Sequence, residues 1–427
     1  MSPCCAMSGS DAIYDQDGIR VLQGDALAAL PALDAASIDA VVTDPPYGLG
    51  FMGANWDHGV PGVPFWAAVR RVLKPGAHVL AFGGTRTFHR LAVALEDAGF
   101  DLRDTIGWIY GNGFPKSLDV SKAIDKAAGV ERPVVGEIRK SVEGMQPGLG
   151  GAFSDDGFAW KPTIPVTRPA TDAATAWAGW GTGLKPAWEP ILVARNPLDG
   201  SVVQNVLTHG TGALNLDAAR IPADDGYQDN AVTQGLSTAR TSYDPRDEPS
   251  VFCPSGLGRW PANVIHDGSA DALALFPDVG PGGYPKHGGT GGIGTSGHVG
   301  YEQERRINTS PGNAARFFYC AKAGPSERWF YCRTCGEAFE RDVRTHHRHG
   351  RPDWGHLISH PTQKPLALMK HLVGLITPPG GIVLDPFVGS GTTLIAAGAA
   401  NFRAIGIDQD PDHCQIAAGR LRLRLGF

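Results

Sequence analysis

GIVLDPFVGSGTT, running from Gly381 to Thr393, decides the fold of this 427-residue chain. Its apolar Ile382 to Leu384 read as a buried strand, Asp385 ends that strand, and Gly389, Ser390 and Gly391 turn the chain into the helical LIAAGAAN. Such a turn lets a ligand approach the backbone closely, and an acid at the end of the next strand commonly grips a ribose hydroxyl. Here the next strand is FRAIGID, ending in Asp408. The spacing suits a nucleoside ligand lying across the carboxyl ends of two neighbouring strands. Only about one β-α-β-α unit remains before Phe427, too little to bury a core of its own, so the other strands must come from elsewhere in the chain.

Composition sets the outer bounds. A hydrophobic share of 42% supports a sizeable core, while 57 glycines and 33 prolines predict long loops rather than an all-helical body. No run approaches the ~18 apolar residues of a membrane span and no charged-then-apolar leader precedes Asp11, so the expectation is a soluble cytoplasmic protein without membrane partners. The net charge of -5 does not advertise nucleic acid, but phosphate contacts need only a local basic face. Seven cysteines with a single CxxC pair do not make a disulfide framework.

Near the other end, IRVLQGDALAALPAL reads as a strand ending at Gly24-Asp25 and then a helix, and SIDAVVTDPPYG as a second strand ending at Asp44. Two strands that each end in an acid point to the ligand-binding edge of a parallel sheet. In Asp44-Pro45-Pro46-Tyr47 the prolines fix the backbone and leave carbonyls without N–H groups of their own. A carboxylate, a rigid carbonyl and an aromatic ring are thus held at one strand end. A helix over Phe65 to Leu73, a turn at Lys74-Pro75-Gly76 and a strand HVLAFGG follow. GNGFPKS, at a later strand end, is a candidate wall of the cleft.

DPPY, HPTQKP (His360 to Pro365) and DPFVGSGTT, with the catalytic tetrapeptide first and the cofactor loop last, resemble the S-adenosylmethionine-dependent DNA methyltransferases that modify exocyclic amino groups, in their β-class arrangement. The resemblance covers roughly residues 13 to 200 and 311 to 427. It implies an α/β, doubly wound Rossmann-like methyltransferase sheet with a circularly permuted motif order and an inserted target-recognition region, to which the Cys- and His-bearing stretch described below adds a small zinc-finger-like element. Its catalytic half is expected over 13–199 with an irregular insert at 130–183, target recognition over 200–310, the zinc-finger-like segment over 311–355 and the cofactor half over 356–427. LKPAWEPILVARNP would be the strand closing the catalytic half. Residues 200–310 follow neither helix nor strand template, and NVLTHGTGALNLDAARI suggests small β or mixed units.

By the same resemblance, Asp44, Pro45, Pro46 and Tyr47 are catalytic. Asp385, Phe387, Gly389 and Gly391 would face the methionine side of the cofactor, Asp408 the ribose hydroxyls and Asp25 the adenine amino group, with Thr362 and Lys364 meeting the methionine carboxylate and Ser390 and Thr392 also binding the cofactor. Duplex DNA is the implied substrate, with a homodimer and a cognate restriction endonuclease as further partners to expect. Aspartate at the head of the tetrapeptide leans toward adenine N6 over cytosine N4. An RNA or protein amide methyltransferase, and a non-catalytic zinc-containing DNA-binding module, are the rival classes. Carbon-5 methylation would need a cysteine nucleophile, and the sole Pro-Cys pair is Pro3-Cys4 in a small, polar terminal segment.

FYCRTCGEAFERDVRTHHRHG supplies Cys332 and Cys335 and then His346, His347 and His349. Two thiolates from a knuckle and two imidazoles can complete a tetrahedral zinc site, and His346 and His349, three apart, fit one helix face best. Four protein ligands leave no open position, so such a zinc would be structural.

Overall fold

Ten strands form one sheet in a computed structural model that describes residues 12–49, 59–111, 113, 117–139, 153–154, 157–158, 163–221, 258–279, 312–321, 329–332, 338–340, 357–358 and 363–424. They are β1 (Ala12–Gln16), β2 (Ile19–Gln23), β3 (Ile38–Thr43), β4 (Leu73–Phe82), β5 (Asp101–Ile109), β6 (Trp188–Arg195), β7 (Val264–His266), β8 (Tyr319–Cys320), β9 (Ile382–Asp385) and β10 (Arg403–Asp408). Their order across the sheet is β1-β2-β10-β9-β3-β4-β6-β5-β7-β8. The run from β2 to β4 is parallel, as is the run from β5 to β8. Strand β6 is antiparallel to both its neighbours, and β1 is antiparallel to β2.

Every residue of β3, IDAVVT, is buried, as expected of a central parallel strand covered on both faces. Its side chains feed two cores. Ala40 and Val42 join Leu80, Phe82 and Val383 on one side, packed with α5 (Leu366–Ile376), α6 (Thr392–Ala399) and α7 (Pro411–Arg424). Ile38 and Val41 join Val79, Ala81 and Leu384 on the other, packed with α1 (Ala26–Ala29), α2 (Val63–Val72) and α3 (Phe88–Asp97). Asp39, only 4% exposed within this strand, accepts from the Ile382 amide at 2.8 Å and from Lys74 Nζ at 2.6 Å, so its charge is paired. Strand β9 lies between β3 and β10, which puts the two ends of the chain side by side in the sheet.

The sequence reading needs correcting in two places. Lys74-Pro75-Gly76 is no separate turn but an irregularity inside β4, where pairing with β3 jumps from Leu73 to His78 and Gly76 adopts φ +75°. Asn205 to His209, the start of the stretch read as small β or mixed units, lie in α4 (Val202–His209). A reciprocal capping box between Ser201 and Gln204 opens that helix, and Gly210 in the left-handed region closes it. The segments expected to carry target recognition and zinc also contribute β7 and β8 to the main sheet.

Residues Asn112–Pro186 form a second unit. It contains an antiparallel hairpin of Val134–Arg139 and Thr163–Thr167, so part of the stretch read as irregular is regular. Buried Asp125 ties this unit together through Arg132 at 2.8 Å, Thr171 Oγ1 at 2.8 Å and the amides of Ala170 and Thr171. Among the described residues, no helix is long and apolar enough to cross a membrane.

Candidate active site

In a parallel sheet the carboxyl ends of the strands share one edge, and here that edge collects the acids read from the sequence. Asp25 follows β2, Asp408 ends β10, Asp385 ends β9 and Asp44 follows β3. All four line one cavity of about 760 Å³, together with Pro45, Pro46, Tyr47, Phe65, Phe387, Val388, Gly389, Ser390, Thr392, His413, Glu189 and Lys364.

The glycine turn is braced from three sides. The Gly389 amide donates to Asp408 Oδ2 at 2.9 Å, which locks the loop to the next strand. Gly391 has φ +79°, and a Cβ there would stand 2.9 Å from Ala417 Cβ, so glycine lets α6 start tight against α7. Arg420, 2% exposed, reaches from α7 to the Ser390 carbonyl at 2.5 Å and to Thr392 Oγ1 at 3.0 Å. Phe387 stacks at a tilt on Phe65, with centroids 5.0 Å apart.

Asp385 uses its carboxylate inside the protein. It accepts from Thr43 Oγ1 at 2.8 Å, Thr393 Oγ1 at 2.5 Å and the Phe387 amide at 3.1 Å, tying β3 to the start of α6. Burial raises its pKa to about 7 against the opposing pull of those donors. Asp408 behaves differently. Burial works against its charge, but the His413 imidazole at 3.4 Å and the amides of Asp410 and Gly389 outweigh it and hold the carboxyl below its ordinary range. It therefore stays ionised, as an acceptor for hydroxyls must. Asp25 caps α1 by accepting from the Ala28 amide at 2.9 Å.

On the other side of the cavity, the Tyr47 hydroxyl lies 2.7 Å from Asp44 Oδ1 and 3.2 Å from Glu189 Oε2. Lys364 Nζ stands 3.2 Å from Asp44 Oδ2, 2.8 Å from Glu189 Oε2 and 3.1 Å from the Tyr47 hydroxyl. Tyr110, just past β5, reaches Glu189 Oε1 at 3.4 Å. Burial raises the Asp44 pKa, Lys364 lowers it and Glu189 raises it further. For Lys364, burial disfavours the ammonium, but Asp44 and Glu189 prevail and hold it above its usual range.

Glu189 and Tyr110 escaped the sequence reading. Because β6 runs antiparallel, its beginning rather than its end lies at the ligand edge, and only strand order reveals that. Lys364, expected at a methionine carboxylate, has its ammonium on Asp44 and Glu189. Thr362, Cys335, His346 and His349 lie outside the described residues. For Cys332 only the backbone is described, at the end of a strand (Trp329–Cys332) paired with Ala338–Glu340 and Leu357–Ile358. Among the described residues, no group of three or more His, Cys, Asp or Glu is disposed to hold a metal.

A parallel sheet edge with a braced glycine turn, Asp408 at the next strand end and an Asp-Pro-Pro-Tyr corner in one cavity has the arrangement of a nucleotide-binding α/β fold. The family model N6_N4_Mtase, described as DNA methylase, matches residues 38–127 and 152–419, and the chain belongs to this family of DNA amino-methyltransferases. Similar curated proteins include the type II methyltransferase M.HindIII of Haemophilus influenzae, 52% identical over 62 residues (14% of this chain, 20% of the relative). Another is the DNA adenine methyltransferase YhdJ of Escherichia coli, 44% identical over 63 residues (15% and 21%). The matched part thus spans about a fifth of those relatives. Among solved structures, the M1.HpyAVI–SAM complex is 15% identical with a TM-score of 0.37, covering 94% of this chain and 100% of that one. The cytosine-N4-specific PvuII DNA methyltransferase is 12% identical with a TM-score of 0.42, covering 96% and 89%.

Proposed function

We propose that this chain methylates the exocyclic N6 amino group of an adenine flipped out of duplex DNA. The observation that carries the reading is that Asp44 and Pro45 line the same cavity as Gly389, Ser390 and Asp408, so an acceptor for amino hydrogens faces a nucleoside cradle. The cradle fits S-adenosylmethionine. An ionised Asp408 is available to ribose hydroxyls, Asp25 borders the space for the adenine amino group, and Gly389 and Ser390 of the turn line the cavity on the methionine side. Phe387, Ser390 and Thr392 complete that side, with Thr362 in HPTQKP. When bound, S-adenosylmethionine supplies a methyl group made electrophilic by its positively charged sulfur.

The amino nitrogen of adenine is a poor nucleophile because its lone pair is delocalised into the ring. Asp44 and the Pro45 carbonyl accept its two hydrogens and draw it toward tetrahedral geometry, which frees the lone pair. Placement and charge stabilisation supply the acceleration, with no covalent enzyme intermediate. Extruding the base costs about a few kcal/mol. Stacking on Tyr47 recovers part of that.

The permuted order of the β-class, target recognition within 200–310 and a structural zinc on Cys332, Cys335, His346 and His349 belong to the same reading and rest on the sequence motifs. So do a homodimer and a cognate restriction endonuclease as partners. Single-molecule sequencing of DNA from methylation-free cells expressing the chain tests the reaction. N6-methyladenine at a fixed motif is expected, N4-methylcytosine would transfer the reading to cytosine, and unmodified DNA from an expressed, folded chain would overturn it.

A further inference from the structure

Among the described residues lining the cavity, Lys364 is the one lysine or arginine, and its ammonium sits on the corner where the amino group is to be held. We infer that Lys364, gripped by Glu189, is a positioning residue that acts through Asp44, keeping it ionised beside a second carboxylate so that it accepts the hydrogens of the target amino group. The inference deepens the amino-methyltransferase reading and rests on it.

The geometry leaves the two carboxylates sharing two donors. Lys364 Nζ lies 2.8 Å from Glu189 Oε2 and 3.2 Å from Asp44 Oδ2, and the Tyr47 hydroxyl lies 3.2 Å and 2.7 Å from oxygens of the same pair. Two carboxylates at such range in a partly dry cleft cannot both ionise without a counter-charge. Were Asp44 the one to take the proton, it would offer an O–H to an amino group that itself needs acceptors. The lysine is well placed to prevent this. Its side chain is 10% exposed, and its ammonium stands 4.6 Å from the Phe82 ring centroid, 5.5 Å from that of Tyr47 and 5.8 Å from that of Trp108, an aromatic wall that favours a cation. Binding a cofactor carboxylate instead would pull it away from two partners of the same charge type.

The other titratable groups facing this corner are Tyr47, Tyr110 across Glu189, and Asp385, whose charge is coupled to that of Asp44. Glu189 and Lys364 push Asp44 in opposite directions, and this gives the test a signature that loss of packing would not produce.

Wild type, K364M, E189Q and the double variant are compared by single-turnover methyl incorporation into duplex DNA from about pH 5 to 9, with S-adenosylmethionine affinity measured by calorimetry. The acid limb of the rate profile should move up by about one pH unit or more in K364M, down in E189Q and back toward wild type in the double variant. Cofactor affinity should stay within about threefold in all of them, well under the tenfold that a lost carboxylate contact would reach. A K364M protein that binds the cofactor tenfold or more weakly with an unmoved limb, or limbs that coincide in all variants, would overturn the inference. Should K364M not fold, the direction of the E189Q shift decides alone. Near-wild-type turnover by D44A would instead sink the reaction itself, whatever the limbs do.

Discussion

Thr43 and Asp385, 342 residues apart in sequence, share a 2.8 Å hydrogen bond at the centre of the sheet. The bond joins the last residue of β3 to the last residue of β9, so the Asp-Pro-Pro-Tyr corner and the glycine turn are referenced to one buried carboxyl. Asp385 is 2% exposed, and burial raises its pKa to about 7. In the unfolded chain it ionises at its ordinary pH, near 4. The unfolded state therefore sheds this proton first, and the group's contribution to stability, full below about pH 4, is lost as pH rises through about 7. D385N removes the titration while keeping the shape. Its melting temperature relative to wild type should climb between about pH 4 and 7 and level off above. Calorimetric scans without ligand check this, and a flat difference would place the titration elsewhere.

D44A should lower methyl transfer by about three orders of magnitude or more, the scale lost when a placed electrostatic partner is removed. The Gly389 amide is held by Asp408 and not by Asp44, so binding of S-adenosylmethionine should survive. Labelled-methyl incorporation beside calorimetric titration separates the two effects.

Gly391 sits at φ +79° with Ala417 Cβ 2.9 Å from where its own Cβ would stand. G391A should cost about 1–3 kcal/mol of stability from left-handed strain and the steric conflict. Because the helix start must then shift, cofactor affinity should fall by about tenfold. G129A tests whether a left-handed glycine matters in general. Gly129 has φ +68° with open space around its Cβ, so this change should be felt in stability but not in cofactor binding.

How much of this was legible in the sequence depended on whether a residue's role is local. The turn at Gly389 to Gly391 and the DPPY corner announce themselves, because backbone approach and rigid carbonyls need those residue types in those places. Asp408 follows from its position one strand on. Glu189 does not, since a lone glutamate at the head of WEPILVAR looks like any strand end until β6 is found inserted antiparallel between β4 and β5. Lys364 was visible as a cation near a helix start, but its partners come from two other strands. Helix α4 was missed because Val202, Val203 and Val206 favour strands, and their exposure breaks the amphipathic pattern that normally marks a helix.

The proposed zinc on Cys332, Cys335, His346 and His349 carries the expectation of one zinc per purified chain by elemental analysis. Chelation should lower the melting temperature, and zinc alone should restore it. Methyl transfer by chelated protein kept below its new transition should persist, because four protein ligands leave the ion without an open position for chemistry. C335S paired with H349N should abolish metal binding. Zinc retained by that double variant would move the site to other ligands.

Arg420 is the prediction most specific to this cavity, because nothing in RLRLRLGF marks one arginine out from its neighbours. The buried guanidinium holds the Ser390 carbonyl at 2.5 Å and Thr392 Oγ1 at 3.0 Å, from the far side of the glycine turn to any ligand. Replacing it with methionine keeps the apolar stem but leaves that carbonyl without its cation. The expected cost is about 1–3 kcal/mol for an unsatisfied buried acceptor. The loss should appear in both global stability and cofactor affinity, since the loop that loses its brace is the one the cofactor approaches. R422M changes an arginine two residues along α7 that does not reach the loop, and it should leave cofactor affinity unchanged. Equal effects of R420M and R422M would show that the brace is general helix packing rather than a hold on the loop.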